Sequence, residues 1–126
     1  MKRSNWLTVD AKGEQFGRLA SKLAFILQGK DQPDWQPHLN QAPHIVVTNC
    51  AKMKVGLRLA DRNYFSHSGY LGNLRTKKFT DQTNSERLLS AVSHMLPDNK
   101  LRRSILKNLH CFETENHPHK PQTDHE

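Results

Sequence analysis

The sequence has few cysteines and no long apolar run. Cys50 and Cys111 are the only two cysteines among 126 residues, and neither forms a Cys-x-x-Cys pair. This scarcity argues against a disulfide framework and a thiolate zinc cluster, and it is typical of a reducing compartment. The longest apolar run, residues 23–27, is far shorter than the ~18 residues of a membrane span. No apolar segment follows the basic start of the chain, so we expect neither secretion nor membrane insertion.

Apolar residues are scarce overall. They make up 35% of the chain, whereas globular domains have roughly 45–50%, a range that also counts glycine. A chain of 126 residues is long enough for one compact domain with a modest core. We therefore expect a partner to order part of the chain.

Positive charge is in clear excess. Nineteen Lys and Arg stand against twelve Asp and Glu, which gives a formal charge of +7 and a pI near 9.7. Such an excess favours a protein that binds a polyanion, because each neutralised phosphate releases a condensed counterion. The alternative is a basic surface that serves only solubility.

Hydrophobic periodicity predicts alternating strands and helices in the first half of the chain. Residues 6–9 and the β-branched run 44–48 are predicted strands. Residues 17–28 carry apolar side chains at helical spacing and are followed by Gly29, so we predict a helix that stops at this glycine. Residues 31–43 contain three prolines and are predicted to form a loop.

The second half of the chain predicts two more helices. Thr83 and Glu86 have the spacing of a capping box at the start of one helix. Asp98 is the predicted cap of the next. The inward-facing residues of that helix would be Leu101, Ile105, Leu106 and Leu109. A short strand is predicted from Cys111. This order predicts a single α/β domain over residues 1–112 with a small, mainly parallel sheet, and an extended polar tail over 113–126.

The strongest sign of function is a basic stretch with almost no acid in it. Between residues 52 and 78 the only acidic residue is Asp61, and the basic residues are Lys52, Lys54, Arg58, Arg62, Arg75, Lys77 and Lys78. Residues 64–72 within it predict a strand that runs into a glycine turn. Tyr64, Phe65 and Tyr70 can stack on a base or sugar. A solvated edge strand guarded by charge is the alternative, but such faces usually mix signs, so we predict phosphate contact.

Two further sets of residues are candidates for phosphate contact. Gly17 and Arg18 would present backbone amides and a guanidinium at the start of the first helix. One face of the third helix carries Lys100, Arg103 and Lys107. For that face an ordinary amphipathic helix is nearly as good an interpretation. Arg102 falls among the apolar positions, so either the helix starts later or Arg102 reaches a partner.

Enzymatic and metal-binding functions have little support. His117 and His119 can chelate a metal weakly, with His110 or Cys111 nearby, but a site in a Pro-rich tail would lack the surrounding groups that orient ligands. No catalytic arrangement or nucleotide-binding glycine motif is recognisable. We expect His67 to act as an RNA contact or a local cap, and we expect no cofactor or small-molecule substrate.

Six landmarks in order then resemble one known family, the L-thirteen family of large-subunit ribosomal proteins. They are the opening strand-turn-helix at 6–20, the pair Pro37-His38, the element with Asn49, Cys50 and Lys52, the segment Tyr64 to Gly72 with His67, Ser68, Gly69 and Gly72 matching, Met95-Leu96-Pro97, and the tail His117, His119 and Gln122. The resemblance covers residues 6–122, nearly the whole chain.

The resemblance implies a fold, a partner and a set of contacts. The fold would be a three-layer α/β/α domain with a four-stranded, mainly parallel sheet. The partners would be large-subunit rRNA and neighbouring ribosomal proteins, with a role early in subunit assembly. The implied RNA-contacting residues, beyond the basic ones, are His38, Tyr64, His67, Ser68, Gly69, Tyr70, Gly72, His117 and His119.

Departures from the family pattern indicate a divergent, compact member. His94 and Arg102 stand where the family usually has glycine, the stretch at 55–58 is shorter, and residues 111–113 replace a Tyr-Ala-Gly-like ending. An unusual bacterium or an organelle would account for them, and the absence of a transit-like start favours a cytoplasmic ribosome. Two alternative functions are an RNA-binding regulator off the ribosome and a small metal-assisted hydrolase built on His117, His119 and a carboxylate.

Overall fold

A four-stranded parallel sheet and a separate two-stranded ribbon organise the chain. The computed structural model describes residues 6–119 and the backbone of 123–124. The strands are β1 Trp6–Asp10, β2 His44–Thr48, β3 Asn63–His67, β4 Leu74–Lys78, β5 Leu109–Cys111 and β6 Thr123–Asp124. The α-helices are α1 Phe16–Leu27, α2 Leu57–Ala60, α3 Asn84–Met95 and α4 Leu101–Leu106, with 3-10 turns at Cys50–Lys52 and Phe79–Asp81. The main sheet has the order β5-β2-β1-β6, and all its neighbours are parallel. The predicted α/β class and small parallel sheet are confirmed.

Helices α1 and α3 cover one face of this sheet. Leu7 and Val9 of β1 and Ile45 of β2 are buried there in one cluster with the apolar side of α1. Gly29 follows α1 with a φ of 73°, a left-handed conformation that suits glycine at a helix end. The predicted strands, the first helix and its glycine stop are therefore confirmed.

Helix α3 begins with the capping box that its sequence predicts. The hydroxyl of Thr83 accepts from the backbone N–H of Glu86 at 3.3 Å, and the carboxylate of Glu86 accepts from the N–H of Thr83 at 3.3 Å. The buried residues Leu88 and Val92 lie one turn apart on its inner side. Capping and burial together explain why this helix could be predicted from sequence.

Aromatic and imidazole rings cover the second face of the sheet. Trp6 stacks on His44 with 4.4 Å between ring centroids, and His119 approaches Trp6 at 5.1 Å and His110 at 4.5 Å. Val46 is fully buried on this side. The layer over this face is thus the irregular segment 112–119, where a three-layer α/β/α arrangement would have a helix. The backbone N–H of Phe112 donates to Val47 at 2.8 Å, and β6 pairs with β1. The division of the chain at residue 112 stays a prediction.

Helix α4 differs from its prediction in two ways. Asp98 is not its cap, because Asn99 Oδ1 accepts from the N–H of Leu101 at 3.0 Å while Asp98 pairs with Arg102 at 3.2 Å. The helix ends at Leu106, so Leu109 is buried as the first residue of β5 and is not part of the helix. The last strand accordingly starts two residues before Cys111.

Arg102 reaches a partner within its own chain, as one of the two predicted alternatives required. Its Nη2 donates to the carbonyl of Leu96 at 2.9 Å and its Nε donates to the carbonyl of Pro97 at 3.1 Å. These carbonyls lie just beyond α3, where no intrahelical donor can satisfy them. The Arg102 side chain therefore joins the end of α3 to α4.

The two cysteines are free thiols that contact each other. The neighbouring Cys50 thiol, followed by burial, raises the pKa of Cys111, and the thiol of Cys50 donates to the carbonyl of Val47 at 4.0 Å. The backbone N–H of Cys50 also donates to the carbonyl of Phe112 at 3.1 Å. This contact ties the end of β2 to the end of β5.

No helix within residues 6–119 has both the length and the apolar character needed to cross a bilayer.

Candidate nucleic-acid interface

The predicted basic stretch contains an antiparallel β-ribbon that stands apart from the main sheet. We define the ribbon as residues 63–78, which are β3, a turn and β4. The strands pair from Asn63 with Lys78 at the base to His67 with Leu74 at the tip. Sequence analysis predicted β3 and the turn but missed β4, because three of its five residues are basic and none is buried.

Local hydrogen bonds shape the turn at the tip. The ring Nδ1 of His67 accepts from the backbone N–H of Gly69 at 2.9 Å, and the hydroxyl of Ser68 accepts from the side-chain amide of Asn73 at 3.0 Å. Gly69 and Gly72 have φ angles of 91° and 79°, which side chains with a Cβ rarely adopt. His67 therefore acts as a local cap, one of its two predicted roles.

The ribbon is anchored to the domain only at its base. Tyr64 is its one half-buried residue, and all its other residues are exposed. The Tyr64 ring stacks on buried Phe79 at 6.2 Å, and the guanidinium of Arg62 lies 5.7 Å from the Tyr64 ring centroid. An isolated two-stranded ribbon is marginally stable in water. Its extension beyond the core therefore favours a surface that a partner covers.

The two faces of the ribbon differ in chemistry. The register places Arg75 and Lys77 on the face that also carries Tyr64. Phe65 and Leu74 lie on the opposite face with 68% and 60% of their surface exposed, and Lys78 is the one cation of β4 on that face, at the base of the ribbon. The tip adds two exposed apolar side chains, Tyr70 and Leu71. Phosphates fit the cationic face, whereas flat bases or sugars fit the apolar face and tip.

The other cations of the stretch are exposed around the base of the ribbon. Lys52 ends a 3-10 turn, Arg58 lies on α2, and Arg62 directly precedes β3. Lys54 and Arg18 line one surface depression of about 390 Å³ at the start of α1. The structure thus brings Arg18, predicted separately, next to a cation of the basic stretch.

Asn49 links the C-terminal ends of β1 and β2. It has a left-handed φ of 58° and donates through its side-chain amide to the carboxylate of Asp10 at 3.0 Å. The same carboxylate accepts from the N–H of Lys12 at 2.9 Å. The pKa of Asp10 is lowered, chiefly by the bond from Lys12 and then by that from Asn49. The contact joins the ends of β1 and β2, from which Lys52 projects a few residues later.

The remaining predicted residues lie on other surfaces. Lys100, Arg103 and Lys107 are exposed at the start, middle and end of α4. His38 is exposed in the loop after the C-terminal end of α1, whereas Phe16 at the N-terminal end packs on Phe79 next to the ribbon. A helix of this length separates the two ends by about 18 Å.

His117 and His119 are used in ring packing. His117 lies 5.8 Å from Phe112, and His119 lies within the stack on Trp6 and His110. Burial, followed by the neighbouring His119 and His44, lowers the pKa of His110. Across residues 6–119 there is no group of three or more His, Cys, Asp or Glu side chains placed to hold a metal ion. The hydrolase hypothesis therefore gains no site from this cluster. Gln122, a landmark of the family pattern, lies outside the described residues.

Three exposed or half-buried residues of this region escaped sequence analysis. Leu71 and Leu74 are isolated among polar residues, and Arg87 is a single cation on an amphipathic helix. Hydrophobic periodicity does not mark such isolated residues, because their role depends on their neighbours in the folded chain.

Together, these features define a small basic α/β protein that carries its aromatic and cationic side chains on a β-ribbon outside the core. Residues 4–118 match the family described as Ribosomal protein L13. The chain belongs to this family.

Curated relatives agree along almost the full length. The chain is 44% identical over 121 residues to the large ribosomal subunit protein uL13 of Desulfovibrio desulfuricans, covering 93% of this chain and 84% of the relative. It is 41% identical over 124 residues to the uL13 of Vesicomyosocius okutanii, covering 95% and 87%. It is 38% identical over 121 residues to the uL13 of Helicobacter hepaticus, covering 93% and 85%.

Proposed function

We propose that this chain is a structural constituent of the large ribosomal subunit that binds large-subunit rRNA and catalyses no reaction. Family membership supports the ribosomal role, and the relatives carry the name of a large-subunit protein. The observation that carries the RNA-binding part is the ribbon, on which cations and the aromatic side chains Phe65 and Tyr70 are exposed side by side.

The ribbon would contact the RNA in two ways. Arg75 and Lys77 neutralise phosphates from one face, while Phe65 and Tyr70 offer flat surfaces to unstacked bases or sugars. The turn residues His67, Ser68, Gly69 and Gly72 keep the tip in a shape that can enter an RNA groove or loop. Specificity then comes from the fold of the RNA, because phosphate contacts position the protein without reading sequence.

Other surfaces would extend this contact. We assign phosphate contact to the depression that holds Arg18 and Lys54, to the neighbouring cations Lys52, Arg58, Arg62 and Lys78, and to the exposed face of α4 with Lys100, Arg103 and Lys107. His38 would contact RNA at the far end of α1. His117 and His119 would do so only through the edges that ring packing leaves open.

Binding through several separated surfaces suits a protein that joins RNA segments early in subunit assembly. Its neighbours there would be other large-subunit proteins. The named relatives come from bacteria, which favours the cytoplasmic bacterial ribosome over an organellar one.

Salt dependence tests the ribbon. The double variant Lys77→Glu/Lys78→Glu should bind a large-subunit rRNA fragment more weakly than the parent chain, with a shallower slope of log affinity against log salt. Each lost phosphate contact flattens that slope by about 0.7–0.9. Filter binding between low and high potassium chloride measures both quantities.

Lys12→Glu/Lys30→Glu is the matched control, since it makes the same change of charge at two cations outside the predicted contacts. Its slope should stay close to that of the parent chain. Salt-independent binding by the parent, or equal slopes for the two double variants, would contradict the proposal.

Sucrose-gradient sedimentation of a cell lysate tests the ribosomal role itself. The chain should sediment with the large subunit, because a structural constituent stays bound through fractionation. Recovery only in the light fractions would instead support a regulator that acts off the ribosome.

A further inference from the structure

A cavity of about 500 Å³ lies between the base of the ribbon, the start of α1 and the side of α3. Its walls include the aromatic rings of Phe16 and Tyr64, and three basic side chains line it, namely Arg62, Arg87 and His94. None of the described residues that line it is acidic. Its volume is within the roughly 300–1,000 Å³ of sites that bind small molecules.

Arg87 is held in place but keeps donors to spare. Its guanidinium lies 4.2 Å from the ring centroid of Phe79, and Nη1 donates to Asn84 at 2.8 Å. Its Nε is buried without a hydrogen-bond partner among the described residues. An unpaired buried donor is costly, so an acceptor entering the cavity would gain from this guanidinium.

Arg62 has a similar arrangement on the opposite wall. Its guanidinium rests against the Tyr64 ring at 5.7 Å, and the described part of the chain provides it with no ion pair. Planar guanidinium groups bind phosphate through paired N–H donors. Two of them around one cavity, with no carboxylate between, favour an anionic ligand.

His94 adds a third group to the lining of the cavity. Its Nδ1 lies 2.7 Å from the carbonyl of Ser90, and a carbonyl only accepts, so Nδ1 carries the hydrogen. The other nitrogen, Nε2, is then an acceptor in the neutral ring and a donor in the charged ring. This nitrogen can therefore accept from or donate to a ligand in the cavity.

The start of α1 borders the cavity through Gly17. The first turn of α1 contains no acidic side chain, so this border adds no negative charge to the cavity.

We propose that this cavity binds one unstacked nucleotide of the bound RNA. The base would lie against the apolar lining formed by half-buried Tyr64 and Leu59 and by Met95. Its 5′-phosphate would lie between Arg62 and Arg87, and His94 Nε2 would lie beside the sugar or the base edge. Aromatic walls with arginines at the rim are how proteins recognise unstacked RNA bases. A purely apolar ligand would leave the cations unpaired, and a free phosphate would leave the aromatic walls uncovered. The inference rests on the proposed binding of rRNA.

Titration of the full chain with small probes tests the cavity. Uridine 5′-monophosphate and adenosine 5′-monophosphate should each shift the backbone NMR signals of Gly17, Tyr64 and His94. Uridine alone and inorganic phosphate should each bind at least tenfold more weakly, because each fills only half of the site. Equal affinities for inorganic phosphate and the mononucleotides, or no binding by either, would overturn the inference.

Two cavity variants and one ribbon variant complete the experiment. His94→Ala and Arg62→Gln should each weaken mononucleotide binding by about fivefold or more, and should weaken rRNA binding by a similar factor. Circular dichroism and thermal unfolding identify any variant that fails to fold, and Arg62→Gln alters only an exposed side chain. If both variants fold and bind mononucleotides like the parent chain, the assignment is wrong.

The ribbon variant Lys77→Glu/Lys78→Glu separates the two proposals. It should keep its mononucleotide affinity, while its rRNA binding becomes weaker and less dependent on salt. If the parent chain binds rRNA but no mononucleotide, the cavity inference fails and the proposed function stands. If the parent chain binds neither, both fail.

Discussion

Strands β2 and β4 are both five residues long, yet they occupy opposite environments. β2 lies between β1 and β5, and four of its five residues are buried. β4 is half of a two-stranded ribbon, and all five of its residues are exposed. The first is stabilised by the packing around it, and the second extends into solvent on a short anchor. Stability and the proposed RNA binding would therefore be carried by different parts of one small domain.

The same contrast is visible in where the few apolar residues of the chain are placed. Most of those in the sheet and in α1 form a single buried cluster with Leu88 and Val92 of α3, whereas Phe65, Leu71 and Leu74 are exposed on the ribbon. A domain of this size cannot spare apolar side chains without cost. Their position next to cations is the arrangement that the proposed RNA contact would use.

The largest expected difference is between truncating a buried side chain of α1 and truncating an exposed side chain of the ribbon. Leu23→Ala removes a fully buried side chain of α1 and should lower the free energy of unfolding by about 2–5 kcal/mol. Phe65→Ala, on the ribbon, should change it by less than about 0.5 kcal/mol while weakening rRNA binding. Urea unfolding and filter binding of both variants measure this. The comparison breaks down if Phe65→Ala destabilises the fold as much as Leu23→Ala.

A smaller effect is expected where a cation serves the fold. Arg102→Met removes the hydrogen bonds to Leu96 and Pro97 and should cost about 1–2 kcal/mol of unfolding free energy, as for bonds with a charged donor. The salt slope of rRNA binding should stay unchanged, unlike that of the ribbon variant. Asp98→Asn is the control, and since this carboxylate is 93% exposed, we expect no measurable loss of stability. A flatter salt slope for Arg102→Met would place Arg102 in the RNA contact instead.

The smallest effect concerns the ring stack on the second face of the sheet. Burial first, then His119 and His44, hold the pKa of His110 below its ordinary value of 6.5. The unfolded chain then binds this proton more readily than the folded chain does. The free energy of unfolding should therefore be independent of His110 above about pH 6.5 and should fall as the pH drops below that value. Urea unfolding between pH 5 and 8 measures this loss.

His110→Phe provides the control for this pH dependence. The phenyl ring keeps the stacking but carries no titrating proton, so the loss of stability at low pH should become shallower. An unchanged pH profile would assign the effect to other histidines of the stack.

Local signals identified the parts of the fold that depend on neighbours in sequence. The capping box of Thr83 and Glu86 and the glycine after α1 act within one helical turn, and both elements were predicted nearly to the residue. β4 could not be predicted in this way, because its pairing with β3 depends on the partner strand and its residues have no apolar alternation. Asp98 was assigned as a cap on residue type alone, although Arg102 competes for its carboxylate in the folded chain.

The candidate interface likewise contains residues that the sequence predicts and residues that only the folded structure identifies. The ribbon cations were predicted because unbalanced charge is visible in sequence. Arg87 was not, since its contacts with Phe79 and with the cavity exist only after α3 packs beside the ribbon. Whether each predicted residue touches RNA stays a prediction for the experiments above.

The sequence by itself determined the charge, the α/β alternation, the helix ends and the family, because composition, periodicity and ordered motifs are properties of the chain. Only the tertiary structure decided which cations face outward together and which, like Arg102, are used inside the domain. It also decided that the histidines of the C-terminal segment stack on the sheet, and that Arg62, Arg87 and His94 surround one cavity. These outcomes depend on distances between residues far apart in sequence, which packing sets.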